Sequence, residues 1–436
     1  MRHATTATDP HLSSLAELSD IELEALARTI SERKRQKIAS LSANQIASYA
    51  DDTHEYGVTF RDLKKSTQSG RLSRLSDPDV WVQKIRQSAD EYREHQAALH
   101  GLLGRRSDGL QPYCTDESLQ RFIARKSRSR KSNCIMSVSE ALKKSYQEAG
   151  KIYLMAKSLA ENARNPDFVS LFITFTCAPK YHSSSKSYAG YSIWEAHKSL
   201  DAIFSSLIKQ LSKEGKAGTD FFGSRGVELH EDGCPHWHVS LYIKSSLENL
   251  VIEKLRLIYN SDKDRPAGYF DKNIDRIIKK KRYDDPGWCA SISYIFKSAF
   301  AWRSNNPNRM MSSLRQKVAI SFSSIRQFQI FGACGRTTKI KEIWKEEWKN
   351  NSTSFENHEN PGHTKQRLEK RIAHLNRTRT LIAGDADNYQ LIKEAHANKH
   401  GEICHRICGI SRQNQGATTH ISVGLSEKGG VSGLSG

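Results

Sequence analysis

The stretch from Gly226 to Ile243 constrains this chain more than any other, because it reads as a strand, a tight turn and a second strand. Asp232-Gly233 beside Pro235 is turn chemistry, and apolar residues alternate with polar ones on both flanks. Side chains two apart on a strand point to one face, so Glu228 sides with His230 and His236 with His238. A five-residue loop, Glu231 to Pro235, sets His230 opposite His236 and Glu228 opposite His238. Four metal-ligating side chains then share one face of a single hairpin. A lone strand histidine is usually an ordinary core or surface residue. Two histidines facing a glutamate and a third histidine in consistent register are much harder to obtain by chance. The expectation hangs on that register, because a slip of one residue turns half of the set to the other face.

The charge balance narrows the partner. Among 436 residues, Lys and Arg number 67 against 48 Asp and Glu, a formal charge of +19. Such a field favours polyanions, either nucleic acid or an anionic membrane surface. No apolar run approaches the roughly 20 residues of a membrane span, and the chain opens without a signal-like apolar segment. Nucleic acid and a cytoplasmic location are therefore expected, with no membrane partner. Eight cysteines, none in a Cys-x-x-Cys pair, read as free thiols.

Along the chain, Ser19-x-x-Glu22 is a capping box for the helix that carries the apolar series Ile21, Leu23, Leu26 and Ile30. Helical spacing runs from Asp77 to Asn165, interrupted by the basic block Arg121 to Lys131. Within that block Arg125, Lys126, Arg128, Arg130 and Lys131 are candidate DNA-phosphate contacts. Phe168 to Thr176 is the strongest strand, β-branched and aromatic, and an amphipathic helix from Ser192 to Lys213 follows. A second basic run, Lys279, Lys280, Lys281 and Arg282, offers further DNA contacts. Cys289 to Trp302 reads as a helix, and Val318 to Phe322 and Ile325 to Phe331 as short strands. Lys365 to Ile382 reads as a helix and Ser411 to Gly436 as a disordered tail. Strand, helix and hairpin describe an α+β fold, a small antiparallel sheet with helices on one face.

Four stretches, in order, resemble the bacteriophage replication gene A protein family of HUH-type rolling-circle replication initiators. They are Phe172 to His182, the hairpin from Arg225 to Ile243, Ser293-Tyr294-Ile295-Phe296-Lys297, and Ile325 to Gln329 with Gly332. Asp77-Pro78-x-x-Trp81 and Gln111-Pro112-Tyr113 add to the likeness, which covers about residues 75 to 350. With it the chain divides into an N-terminal helical and linker region (1–66) and a helical, basic DNA-contacting region (67–165). An HUH endonuclease domain (166–350) and a basic helical then disordered tail (351–436) complete it.

The resemblance implies a divalent metal, Mg²⁺ or Mn²⁺, on His236, His238 and Glu228, with His230 as a further candidate ligand. It implies Tyr294 as a nucleophile toward single-stranded or supercoiled DNA at a replication origin, leaving a 5′-phosphotyrosine and a 3′-OH that primes synthesis. No Gly-x-x-x-x-Gly-Lys-[Ser/Thr] loop is present, so a host replicative helicase is the expected partner, in the cytoplasm of the bacterial host. Lys297 follows Tyr294 by three residues and on a helix falls on its side. There it can stabilise a phenolate whose reference pKa is about 10. Many family members carry two tyrosines four apart on the catalytic helix; here the positions four after and four before Tyr294 are Ser298 and Ala290, which implies a single-tyrosine mechanism. The competing readings are a relaxase or transposase sharing the hairpin, a zinc hydrolase, and a non-catalytic nucleic-acid-binding protein with structural histidines.

Overall fold

The computed structural model describes residues 10–42, 45, 68–128, 137–146, 149–332, 389–397, 403–414 and 417–419. The chain divides after Cys334 into two units, Met1–Cys334 and Gly335–Gly436.

The first unit holds a five-stranded antiparallel sheet of Phe168–Thr176 (β1), Phe221–Leu229 (β2), Pro235–Lys244 (β3), Ile278–Arg282 (β4) and Phe328–Phe331 (β5). Its strand order is β4-β1-β3-β2-β5. β1 occupies the range its β-branched and aromatic residues predict. The helix that follows, Ile193–Glu214, opens on a capping box between Ser192 and Glu195 and buries Leu200, Phe204, Leu207 and Leu211. Phe204 meets Phe175, Trp237 and Phe331 at ring-centroid distances of 6.3, 5.9 and 5.1 Å. The face of β3 that carries Trp237 is therefore the one packed on this helix.

β2 is buried at every position, which requires cover on both faces. The second layer is built by the helices Ala149–Asn162 and Ala290–Ile295. Trp288 donates from Nε1 to Ala160 O at 2.6 Å and meets the Tyr242 ring at 5.4 Å, while Ser291 Oγ lies 2.8 Å from Ser240 Oγ. Helices thus flank both faces, a correction to the single helical layer expected from the sequence. A second difference lies at Val318 to Phe322, which is the end of a helix, Pro307–Phe322, capped by Asn306. Val318, Ala319, Ile320 and Phe322 are buried and Ser321 is exposed, and a short, mostly apolar run of this length does not separate helix from strand by period. Cys289 to Trp302 divides into the helix Ala290–Ile295 and a 3₁₀ segment, Lys297–Arg303.

Before the sheet, Pro10–Glu17, Asp20–Ala39 and Pro78–Leu99 pack around Leu15, Leu23, Ala27, Ile30, Trp81, Ile85 and Ala89, so helices on either side of residue 66 share one core. Arg125, expected at DNA phosphates, ties this layer together. Its Nη2 lies 2.6 Å from Asp20 Oδ1, and its Nη1 pairs with Asp90, whose side chain is fully buried. Burial works against the guanidinium charge, and the bonds to Asp20 and Asp90 outweigh it, so the pKa is raised. Arg125→Ala leaves buried Asp90 with only Arg93 and Arg121 beside it. The expected cost is about 3 kcal/mol, read as a lower urea midpoint. An unchanged midpoint with weakened DNA binding would return Arg125 to the phosphate role.

In the second unit Tyr389–Ala397 (β6), Ile403–Asn414 (β7) and Ala417–Thr419 (β8) form an antiparallel sheet in the order β6-β7-β8. Strands therefore stand where the sequence suggested no element, and β7 and β8 run into the stretch expected to be disordered from Ser411. The expected helix at 365–382 lies outside the described residues.

Candidate metal and tyrosine site

The hairpin forms, with a tighter turn than its sequence suggested. His230 N donates to Cys234 O at 2.8 Å and Gly233 N to His230 O at 2.9 Å. Gly233 takes φ 85, open to glycine at no steric cost, and Asp232 Oδ1 accepts from Cys234 N at 3.0 Å. The turn is Glu231 to Gly233, and Glu228 stands opposite His236 and Gly226 opposite His238. Relative to the expected pairing the register is displaced by two residues, and a displacement of two leaves every side chain on its own face. Glu228, His236 and His238 consequently converge, with ligand atoms all within 4.8 Å of one another.

Glu228 Oε2 lies 3.5 Å from His236 Nε2 and 3.4 Å from His238 Nε2. Glu228 Oε1, His236 Nδ1 and His238 Nε2 are buried without a hydrogen-bond partner. Buried polar atoms rarely go unpaired, and one carboxylate with two imidazoles is a donor set that a divalent cation completes. The electrostatics agree. Burial pushes the Glu228 carboxyl up, but His236, His238 and the Lys297 ammonium outweigh it and hold its pKa well below the usual range. His238 is lowered, chiefly by burial, against the opposing pull of Glu228, which favours the neutral, ligating imidazole. The His238 Nδ1 side lies 3.3 Å from Thr174 Oγ1, an orientation that leaves Nε2 toward Glu228. Phe172 stacks on the His238 imidazole, 5.3 Å away at 14°.

Tyr294 comes to this cluster on the helix Ala290–Ile295. Its ring stands edge-on to His238 at 4.9 Å and to Phe172 at 5.6 Å, and the residue is 43% exposed. Gly226 makes the approach possible, since a Cβ there would sit 2.6 Å from Ile295 Cγ2. Lys297 reaches back across the helix end, its Nζ 3.7 Å from the Tyr294 ring centroid and 3.0 Å from Glu228 Oε2. Burial works against its charge, and the Tyr294 hydroxyl and Glu228 outweigh it, so its pKa is raised and it remains a cation.

His230 stands beside the trio and outside it. Its ring is 4.4 Å from His236 and 5.1 Å from His182, whose Nδ1 pairs with Asp232 Oδ2 at 3.0 Å. Burial, then the neighbouring histidines, push its pKa down to about 4. In the basic run, β4 is an edge strand, and Lys279 pairs in register with Phe172 and Lys281 with Ser170. Lys279 and Lys281 thus share the face that carries His238 and Tyr294, while Lys280 and Arg282 alternate to the other. Lys280 pairs with Glu248 at 2.5 Å, and Lys281 donates to Pro286 O. Lys126 lies over the Phe122 ring at 5.5 Å, and Arg128 ends the helix Asp116–Arg128. Arg130 and Lys131 lie outside the described residues. Sequence reasoning did not assign roles to Thr174, Phe172 and Gly226; the period-two pattern of β1 facing β3 was the signal for the first two.

Comparison with known proteins places these features in a family setting. The bacteriophage replication gene A protein family matches residues 12–281, a range that includes the hairpin and ends before Tyr294. Among curated proteins, "Probable replication protein P12" of Pseudoalteromonas phage PM2 is 26% identical over 246 residues, 51% of this chain and 37% of that protein. The "Replication protein" of Haemophilus phage HP1 is 25% identical over 202 residues, 44% of this chain and 25% of that protein. "Probable replication endonuclease from prophage-like region 1" of Salmonella typhi is 20% identical over 308 residues, 61% of this chain and 36% of that protein. The chain therefore spans well under half the length of these relatives. No solved structure matches it.

Proposed function

Because the chain belongs to the bacteriophage replication gene A protein family, we propose that it is a site-specific DNA-nicking and joining endonuclease that initiates rolling-circle replication. The observation that carries this reading is the bridge made by Lys297, which touches both the Tyr294 ring and the Glu228 carboxylate of the metal-ligand trio. A nucleophile, a cation against its ring and a trio able to hold a divalent ion then meet in one place, with Tyr294 43% exposed and Glu228 and His238 buried beside it.

In the proposed reaction Tyr294 Oη attacks the phosphorus of a single-stranded or locally melted origin. A P–O bond to tyrosine forms, the P–O3′ bond breaks, and the phenolic proton ends on the departing 3′ oxygen. The 5′-phosphotyrosine conserves the bond energy for later joining, and the 3′-OH primes synthesis. Glu228, His236 and His238 would hold Mg²⁺ or Mn²⁺, whose contribution when bound is Lewis-acid polarisation of a non-bridging phosphate oxygen. Thr174 and Phe172 fix the His238 ring, and Lys297 stabilises negative charge on Tyr294 as its proton leaves. Unwinding falls to a host replicative helicase, and the work is done in the cytoplasm of the host. Among the described residues no helix is long and apolar enough to cross a membrane.

The test is cleavage of supercoiled replicon DNA by the full chain, with Mn²⁺, with Mg²⁺ and with excess chelator. Nicked circles carrying protein at the 5′ end are expected with metal alone; free nicked ends without protein would overturn the reading. The basic edge gives a separate prediction. Lys279→Glu is expected to lower the salt dependence of single-stranded DNA binding by about 0.7 in log–log slope, the loss of one phosphate contact. Lys280→Glu, whose native lysine is already paired with Glu248, is expected to change it less, as read by fluorescence anisotropy. Equal effects from the two would remove β4 from the DNA path.

A further inference from the structure

The connection from Cys177 to Ser192, between β1 and the helix that begins at Ile193, has no part in the chemistry above. Its regular structure is a single 3₁₀ turn, Pro179–Tyr181, and so long an irregular connection is more often functional than a mere link. The turn of the hairpin holds it. Asp232 is buried, and its Oδ2 accepts from Ser184 Oγ at 2.7 Å and lies 3.0 Å from His182 Nδ1. Ser183 Oγ donates to Asp232 O at 2.9 Å, and Cys234 N donates to the other carboxylate oxygen at 3.0 Å. From Ala178 to Tyr191 the connection has no acidic residue, and it carries Lys180, Lys186, His182 and four serines. Tyr181 and Tyr191, both partly exposed, pair their rings at 4.6 Å. Lys180 Nζ stands 5.3 Å from the first ring centroid and 5.8 Å from the second, and pairs with Asp264 at 2.5 Å, while Lys186 is exposed.

Its place relative to Tyr294 follows from the strand register. Phe172, Thr174 and Thr176 of β1 stand opposite Ser240, His238 and His236 of β3. Tyr294 lies against Phe172 and His238, at the end of this row farther from the turn. From His238 the rings continue to His236 at 4.8 Å, then to His230 at 4.4 Å, then to His182 at 5.1 Å. The trio therefore stands between Tyr294 and the connection. In an in-line displacement the attacking and leaving oxygens lie on opposite sides of phosphorus. With Tyr294 attacking a phosphate held at the trio, the 3′ oxygen departs toward His182.

We infer that the connection from Ala178 to Tyr191 is the subsite for the strand that departs with the 3′-OH. The inference rests on the nicking reading and adds where that strand is held. A base of the departing strand stacks on the Tyr181 and Tyr191 pair, since an aromatic face accepts any base. Lys186 and the serine hydroxyls meet its phosphates, which fixes its register without reading sequence. Asp232, by holding His182, Ser183 and Ser184, keeps this subsite in line with the trio. A 3′-OH retained there is placed to attack the phosphorus on Tyr294. The P–O3′ bond then re-forms, the P–O bond to tyrosine breaks, and the hydroxyl proton ends on the Tyr294 phenol.

The test uses the full chain with Mn²⁺ and single-stranded origin oligonucleotides carrying 5-iododeoxyuridine close to the nick, on its 5′ or its 3′ side. Light is expected to crosslink the 5′-side probe to the peptide containing Tyr181 or Tyr191, and the 3′-side probe elsewhere. In a second measurement the isolated adduct is given a strand ending in 3′-OH. Tyr181→Ala is expected to raise the strand concentration for half-maximal joining by about tenfold, with a smaller change in the maximal rate. Tyr181→Phe keeps the ring face and is expected to join as the wild type does. Crosslinks of the 5′-side probe outside residues 178–191, or joining by Tyr181→Ala at the wild-type half-maximal concentration, overturns the subsite and leaves Tyr294 as nucleophile. Absence of any covalent adduct from the wild type overturns the nicking reading, and the subsite with it.

Discussion

Tyr294→Phe is expected to lower formation of the covalent protein–DNA adduct by about 10⁴-fold or more, because it deletes the oxygen that forms the bond. The change removes little else. The ring keeps its edge contacts with His238 at 4.9 Å and Phe172 at 5.6 Å, and Lys297 keeps its place 3.7 Å from the ring centroid. The variant should therefore fold and bind origin DNA close to wild type while failing to cleave it. Parallel loss of binding would mean that Tyr294 acts mainly as a base-stacking platform. Cleavage at near wild-type rate would move the nucleophile elsewhere.

His238→Ala is the second large effect expected. It removes one of three side chains able to hold a metal ion, leaves Thr174 Oγ1 without its imidazole neighbour and takes away the stacking partner of Phe172. Metal affinity and metal-dependent cleavage should each fall by about 100-fold or more. Calorimetric titration with Mn²⁺ reads the first and oligonucleotide cleavage the second. His230→Ala supplies the comparison, since His230 lies 4.4 Å from the His236 ring and outside the trio. It should lower Mn²⁺ affinity less than His238→Ala. Equal losses would make His230 a fourth ligand, and full activity of His238→Ala in excess chelator would remove the metal from the reaction.

The sequence carried the site better than its surroundings, and the reason lies in periodicity. A period of two survives an error of two residues, so Glu228, His236 and His238 share a face although their partners differ from those expected. β1 and the helix beginning at Ile193 were legible for the same reason, each having one repeating pattern and a clear cap or end. Val318 to Phe322 carries no such pattern, being five residues of which four are buried at the end of its helix. The Arg125 ion pairs join residues 105 and 35 positions apart, and a run of basic residues gives no hint that one of them is closed off by Asp20 and Asp90. Tyr113 was visible as part of a motif but not as a partner of the β2–β3 turn, where its N donates to Glu231 O at 2.8 Å, because only the fold brings those segments together.

The central claim is that Tyr294 and the Glu228, His236 and His238 trio form one nicking centre. The most direct measurement is mass mapping of the adduct formed by the full chain on a single-stranded origin oligonucleotide with Mn²⁺. The account predicts that the first adduct is a 5′-phosphotyrosine on Tyr294, formed only with the metal present. A first adduct on any other residue, or the same yield in excess chelator, would contradict it.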